Sequence, residues 1–170
     1  MGKRTLYLFI GAPGAGKTTA AKLIAERSGA VHLWADAERH KLFPEPTHSE
    51  DESLQLYDQL NDQAASLLRA GQSVVFDTNF NFYADRQKLR QIADEAGADT
   101  LVIWMTTPRE VAHERSVHTP VMRNGYMYGM TDEQFDAITS KLEEPHEDEK
   151  VIKIDGTKLD GERISSLLGL

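Results

Sequence analysis

An apolar run from Leu6 to Ile10 leads straight into Gly11-Ala12-Pro13-Gly14-Ala15-Gly16-Lys17-Thr18, which fits the G-x-x-x-x-G-K-T phosphate-loop pattern. No other feature restricts the fold of this chain as much. The pattern works only where a strand turns through glycines into a helix: successive backbone N–H groups then point inward, and the helix N-terminus adds partial positive charge. A polyphosphate can be held there. Lys17 is expected to reach the β- and γ-phosphates and Thr18 to offer its hydroxyl to Mg²⁺. At Gly14 and Gly16 a side chain would crowd the phosphate or demand an unfavourable positive φ. The cradle therefore spans Gly11, Ala12, Pro13, Gly14, Ala15, Gly16, Lys17, Thr18 and Thr19.

What surrounds the loop decides the fold class. Strand-length apolar runs recur at Thr5 to Ile10, Val31 to Ala35, Val74 to Phe76, Leu101 to Met105 and Val151 to Ile154. Helical patterns separate them, over Lys17 to Arg27, Leu54 to Ala70, Tyr83 to Ala96, Pro108 to Ser116, Thr131 to Leu142 and Asp160 to Leu168. Gly29, Gly71 and Gly97 are expected helix C-caps, and Thr107-Pro108-Arg109-Glu110 has capping-box spacing with proline at the first helical position. This alternation predicts a three-layer α/β domain with a mostly parallel five-stranded sheet covered by helices on both faces. With 170 residues, 40% of them hydrophobic, and no Pro/Gly/Ser-rich linker, the chain reads as one domain over 1–170.

Composition narrows the chemistry. The absence of cysteine excludes disulfides and thiolate metal sites, fits a cytoplasmic setting, and leaves oxygens as the ligands for a hard cation. A net charge of -8 argues against extended nucleic-acid binding. The N-terminal apolar stretch is too short to span a membrane and runs into the glycine loop, so it reads as strand and not as a signal peptide.

Ligands of parallel sheets bind beyond the strand carboxyl ends, so the polar residues there are the candidates. Asp77 closes Val74-Val75-Phe76 and is expected to reach Mg²⁺ opposite the phosphate loop, unless it merely caps a turn. Asp36 follows the second strand, and Arg39 lies one helical turn beyond it on the same side. Asp36 would accept a hydroxyl proton and Arg39 would hold an anionic group nearby. The alternative is that Asp36 caps a short helix through Lys41.

Further along, Arg115 and Arg123 lie in or beside a segment, about 116–130, whose Gly125, Tyr126-Met127-Tyr128 and Gly129 suggest a mobile lid. A lid arginine would stabilise charge developing on a transferred phosphoryl group. Phe80, Phe82 and Tyr83 are expected in the core more than in a pocket. The six histidines show no metal-ligand spacing, and Glu143 to Glu149 reads as a solvated acidic loop.

These residues together resemble the P-loop kinases that include the kinase part of polynucleotide kinases, chloramphenicol phosphotransferase and zeta-toxin-type sugar-nucleotide kinases. The likeness covers nearly the whole chain. It implies the P-loop NTPase fold and an ATP- and Mg²⁺-dependent transfer of the γ-phosphoryl group to a hydroxyl of a small-molecule or nucleotide-like acceptor. Asp36 matches the family's base, Arg39 its acceptor clamp, and Asp77-Thr78-Asn79 its D-T-N triplet, so Asn79 joins the acceptor residues. Arg86 corresponds best to a downstream acceptor arginine. The resemblance also implies that Arg115 and the loop Asp155-Gly156-Thr157 pack around the adenine. The expected lid is glycine- and tyrosine-rich rather than densely basic, a departure from the family pattern that counts against a nucleic-acid acceptor.

Two other readings stand beside this one. Thr157-Lys158-Leu159-Asp160 and Asp94-Glu95-Ala96-Gly97 fit GTPase patterns, but the second sits at a helix end and not after a strand. An ATP-binding regulatory module without an acceptor would keep the loop yet have no use for Asp36 and Arg39.

Overall fold

The computed structural model describes residues 3–119, 121–123 and 126–170, with only the backbone described over 121–123 and 126–128. Strands β1 (Thr5–Ile10), β2 (Val31–Trp34), β3 (Val74–Asn79), β4 (Asp99–Met105) and β7 (Val151–Ile154) form one sheet in the order β2-β3-β1-β4-β7. Every neighbouring pair in it is parallel. The expected strands therefore all exist. Two short strands, β5 (Val121–Arg123) and β6 (Tyr126–Tyr128), pair antiparallel as a separate hairpin within the segment expected to be a lid.

Helices α1 (Lys17–Ser28), α2 (Ala35–Leu42), α3 (Glu50–Arg69), α4 (Tyr83–Glu95), α5 (Arg109–His113), α6 (Asp132–Ser140) and α7 (Gly161–Leu168) complete the domain, with a π-helical turn at Glu114–His118. Alternation along the strands splits the core into two halves. Leu6 and Leu8 of β1 and Val74 and Phe76 of β3 pack with Leu56, Leu60, Ala64 and Leu68 of α3 and Leu89 and Ala93 of α4. Tyr7, Phe9 and Val75 point to the other face, against Ala20, Ala21 and Ile24 of α1 and Ile164 of α7. Burying both faces of β1 explains its unbroken apolar run. Among the described residues no helix is long and apolar enough to cross a membrane.

Three local expectations need correction. Helix α3 begins at Glu50 and not near Leu54, because the Ser49 hydroxyl accepts the Glu52 amide as an N-cap. The segment after β2 turns directly into α2, with Trp34 at the cap, so Asp36 sits in the first turn and is not the capping residue. Pro108, not Thr107, occupies the N-cap of α5. The Thr107 hydroxyl instead donates to the Ala15 carbonyl at 2.6 Å and accepts the Gly156 amide at 2.8 Å. A capping box does form at α6, between Thr131 and Gln134.

The sheet also opens where the ligand-binding end begins. Tyr7 pairs with Val75 but Phe9 with Asn79, so β3 carries two extra residues against β1. Bulges of this kind re-aim side chains beside functional sites. Here β3 stays in register with β2 as far as Trp34 opposite Asp77.

Candidate phosphoryl-transfer site

Gly16, with φ of 99°, occupies the N-cap of α1, and no side chain caps the helix. Gly14 has φ of 79°. Both conformations are left-handed, which glycine alone adopts at little cost. The amides of the first turn of α1 thus have no side-chain cap, the arrangement that suits an anion. Lys17 folds back over the loop, its Nζ donating to the Gly11 and Ala12 carbonyls at 3.0 and 2.9 Å. Ala15 is buried and anchors the loop to the core, whereas Thr19 is exposed on α1.

Two side chains from beyond β1 hold the loop in shape. Asn81, only 2% exposed, accepts the Gly11 amide at 3.1 Å and donates to the Gly11 carbonyl at 3.3 Å. Asn79, the triplet residue expected at the acceptor, is exposed at the end of β3, and the loop contact belongs to Asn81, two residues further on. On the other side, Thr107 joins Ala15 to Gly156. A Cβ on Gly156 would stand 2.0 Å from the Ala15 carbonyl oxygen, so the two loops touch at a point that admits no side chain.

Asp77 is 4% exposed. Its Oδ1 lies 3.4 Å from the Thr18 hydroxyl, and its Oδ2 accepts from His32 Nε2 at 2.8 Å. Thr18 and Asp77 are therefore adjacent, as a shared hard cation requires. Their oxygens fit Mg²⁺, which prefers carboxylate, hydroxyl and water. His32 was missing from the sequence-based set, since a histidine inside an apolar run carries no signal of its own. Its ring stacks on Trp34 at 5.7 Å, which sets the plane of the imidazole facing Asp77.

Lys17, Thr18, Asp77, Asp36 and Arg39 line a single cavity of about 220 Å³, together with Trp34, His48, Tyr57 and Thr78. The phosphate loop and the acidic tip of β2 thus open onto the same space. Arg39 is 8% exposed, and its guanidinium donates to Glu52 Oε1 at 3.0 Å and to the Ser53 hydroxyl at 3.1 Å. Arg39, the expected anion clamp, thus lines the cavity with its guanidinium paired to Glu52.

Glu52 also accepts the Thr47 hydroxyl and the Thr47 and His48 amides. These bonds, led by the Thr47 hydroxyl, hold its carboxyl down at about 2 despite the opposing effect of burial. They also hold His48, which has φ of 56° and is the one non-glycine residue with positive φ among the described residues. Such strain persists where surrounding bonds over-determine it, commonly at ligand sites. Tyr57 and Thr78 are hydrogen-bonded at 2.7 Å on the facing wall.

Arg115 lies in the π-helical turn, and its guanidinium donates to the Gly14 carbonyl at 3.3 Å and the Gly156 carbonyl at 3.2 Å. It therefore spans the phosphate loop and the loop after β7. Thr157 folds onto its own loop, its amide and hydroxyl bonding Asp155 Oδ1 at 2.8 and 2.7 Å and lowering the Asp155 pKa. Arg123 belongs to β5, and its side chain lies outside the described residues.

Arg86 requires the clearest correction. It is 1% exposed and donates to Glu149 Oε1 at 2.7 Å, to the Phe80 carbonyl at 2.7 Å and to the Glu144 carbonyl at 3.3 Å. It borders a separate hollow of about 140 Å³ beside Arg90, Asp94 and Lys150, so it does not face the acceptor space. The stretch Glu143 to Glu149 is correspondingly not all solvated, because the Glu149 carboxylate is buried against Arg86. As expected, Phe80 belongs to the core, edge-on to Phe76 at 4.9 Å. Phe82 is 43% exposed, and Tyr83 stacks on His146 at 3.6 Å.

The fold and this arrangement of loops define a P-loop α/β domain. Residues 6–145 match the family model described as an AAA domain, and the chain belongs to that family. No curated protein matches the chain. Among solved structures it is similar to a sugar kinase from Janibacter sp., at TM-score 0.70 and 19% identity over 99% of this chain and 95% of that one. A gluconokinase from Sinorhizobium meliloti aligns at TM-score 0.63 and 19% identity, covering 98% and 87% of the two chains. The APS kinase of Mycobacterium tuberculosis, in complex with AMPPNP and APS, aligns at TM-score 0.67 and 16% identity over 99% and 98%. At such identities the likeness is one of fold.

Proposed function

We propose that this protein is an ATP- and Mg²⁺-dependent kinase that transfers the γ-phosphoryl group to a hydroxyl of a small molecule. The observation that carries the reading is the shared cavity, which Lys17 and Thr18 enter from the phosphate loop and Asp36 from the start of α2. The kinases of sugar, gluconate and APS among the structural neighbours support a small acceptor. An acidic chain in a reducing, ATP-rich cytoplasm is compatible with it.

In this reading an Asp36 carboxylate oxygen takes the proton of the acceptor hydroxyl. The freed oxygen forms a bond to the γ-phosphorus as the bond to the β-phosphate bridging oxygen breaks, leaving ADP. Thr18 and Asp77 would hold Mg²⁺, which supplies neutralisation of phosphate charge when bound. Lys17 orients the β- and γ-phosphates, and the loop amides receive charge developing on the transferred group. His32 keeps the Asp77 carboxylate turned toward Thr18. Gly156 and Arg115 border the site on the adenine side, while His48, Tyr57 and Trp34 shape the acceptor end.

The test is a screen of sugars, sugar acids, nucleosides and aminoglycoside-like alcohols with ATP, scored for phosphorylated product by ³¹P NMR. With an acceptor in hand, Asp36→Asn should lower kcat by roughly two to four orders of magnitude with nucleotide affinity nearly unchanged. Equal losses of binding and rate would make Asp36 structural. ATP hydrolysis indifferent to every alcohol would favour the regulatory module.

A further inference from the structure

Outside the cavity, among the described residues, one group of three side chains has metal-ligand geometry. The imidazoles of His113 and His118 and the carboxylate of Asp132 bring one ligand atom each to within 4.8 Å of one another. His113 ends α5, His118 ends the π-helical turn, and Asp132 opens α6. The spacing does not suggest this, since five positions along an α-helix are about 140° apart. The π turn, with i to i+5 periodicity, brings positions 113 and 118 back toward one side.

The ligand atoms are positioned by their surroundings. His113 packs edge-on against Phe135, a fully buried side chain, at 5.1 Å between centroids. Its Nε2 is 2.5 Å from Asp132 Oδ1, and the His118 ring stands 5.4 Å from its own. The Thr131 capping box fixes the backbone on which Asp132 sits, and the Met130 amide donates to the Ser116 carbonyl at 3.1 Å, joining the two segments. His118 and Asp132 are exposed, so the group is open to solvent.

We propose that His113, His118 and Asp132 form a site for a borderline divalent transition metal, Zn²⁺ in the first instance, with water as fourth ligand. Two imidazoles and one carboxylate suit such an ion and not Mg²⁺. With metal bonds near 2.0–2.2 Å, tetrahedral ligand atoms lie about 3.3 Å apart. The His113–Asp132 pair opens slightly and His118 closes in, which exposed side chains can do by rotation. The ion ties the π-helical turn to α6. Because the same turn carries Arg115 to the Gly14 and Gly156 carbonyls, occupancy steadies the contact between this turn and the phosphate loop. The site is independent of the kinase reading.

The experiment uses tag-free full-length protein, Zn²⁺ titrated against a chromogenic chelator, and Co²⁺ as a spectroscopic probe. One Zn²⁺ per chain and a tetrahedral ligand-field band with Co²⁺ are expected. His118→Asn and Asp132→Asn should each abolish the band and weaken Zn²⁺ by at least the roughly 10–100-fold that an outer-sphere partner alone is worth. The exposed His146→Gln should change neither. Binding unaltered in both ligand variants overturns the proposal. So does loss of binding in His32→Gln, which would move the ion to Asp77, or the absence of stoichiometric Zn²⁺ binding in the unmodified protein.

Discussion

Arg39 and Arg86 are each buried and each paired with a glutamate, yet their surroundings differ. Arg39 forms part of a cavity wall, and its partner Glu52 simultaneously holds the turn at Thr47 and His48. Arg86 is sealed, bonding two backbone carbonyls and Glu149, and it ties α4 to the segment before β7. The same pair of residue types thus shapes an acceptor space in one place and anchors a loop in the other. What distinguishes them is what else shares the volume: Asp36, Lys17 and Asp77 around the first, no phosphate-loop residue around the second.

That contrast has measurable consequences. The largest belongs to the cleft: Lys17→Ala should abolish nucleotide turnover while leaving Tm close to the parent value, and retained turnover would remove the phosphate-loop assignment. The anchor should behave oppositely. Arg86→Ala leaves Glu149 buried without its partner, at a cost of about 3–5 kcal/mol, which corresponds to roughly 6–20 °C in Tm. Turnover per folded molecule should survive; its loss at a temperature where the variant is folded would return Arg86 to the acceptor site.

A smaller effect is expected from Arg39→Ala, read as a KM-against-kcat split. A wall residue alters acceptor KM several-fold and leaves nucleotide KM alone, whereas a fall in kcat alone would make it part of the chemistry. The smallest effect concerns acid stability. Glu52 is held at about 2 against an ordinary 4.5, so its contribution is complete above 4.5 and is lost as pH falls toward 2. Glu52→Gln should therefore flatten Tm against pH within that window and change little of the pH dependence at neutrality. An identical acid limb in the variant would show that the carboxylate does not stabilise the turn at His48.

Much of this architecture was legible in the chain. The apolar runs located the five parallel strands, although the β2 boundary shifted because Ala35 enters α2, and the α3 start was missed although Ser49 and Glu52 had capping-box spacing. Gly29 terminates α1 with φ of 76°, as its position suggested. The errors share a cause. Thr107 is expected at a helix cap from its neighbours in sequence and Arg86 at the acceptor from a family resemblance, whereas what surrounds each comes from other elements: Glu149 reaching α4, and Ala15 and Gly156 on either side of Thr107.

By itself the sequence determined the layered α/β fold and the phosphate cradle, because both follow from local rules: period-two burial along strands, and glycines with left-handed backbone ahead of a helix N-terminus. Only the tertiary structure decided that His32 steadies Asp77, that Glu52 balances Arg39, and that His113, His118 and Asp132 converge. Each depends on how elements distant in the chain are set beside one another by the β2-β3-β1-β4-β7 order or by a π turn, and no local periodicity encodes that.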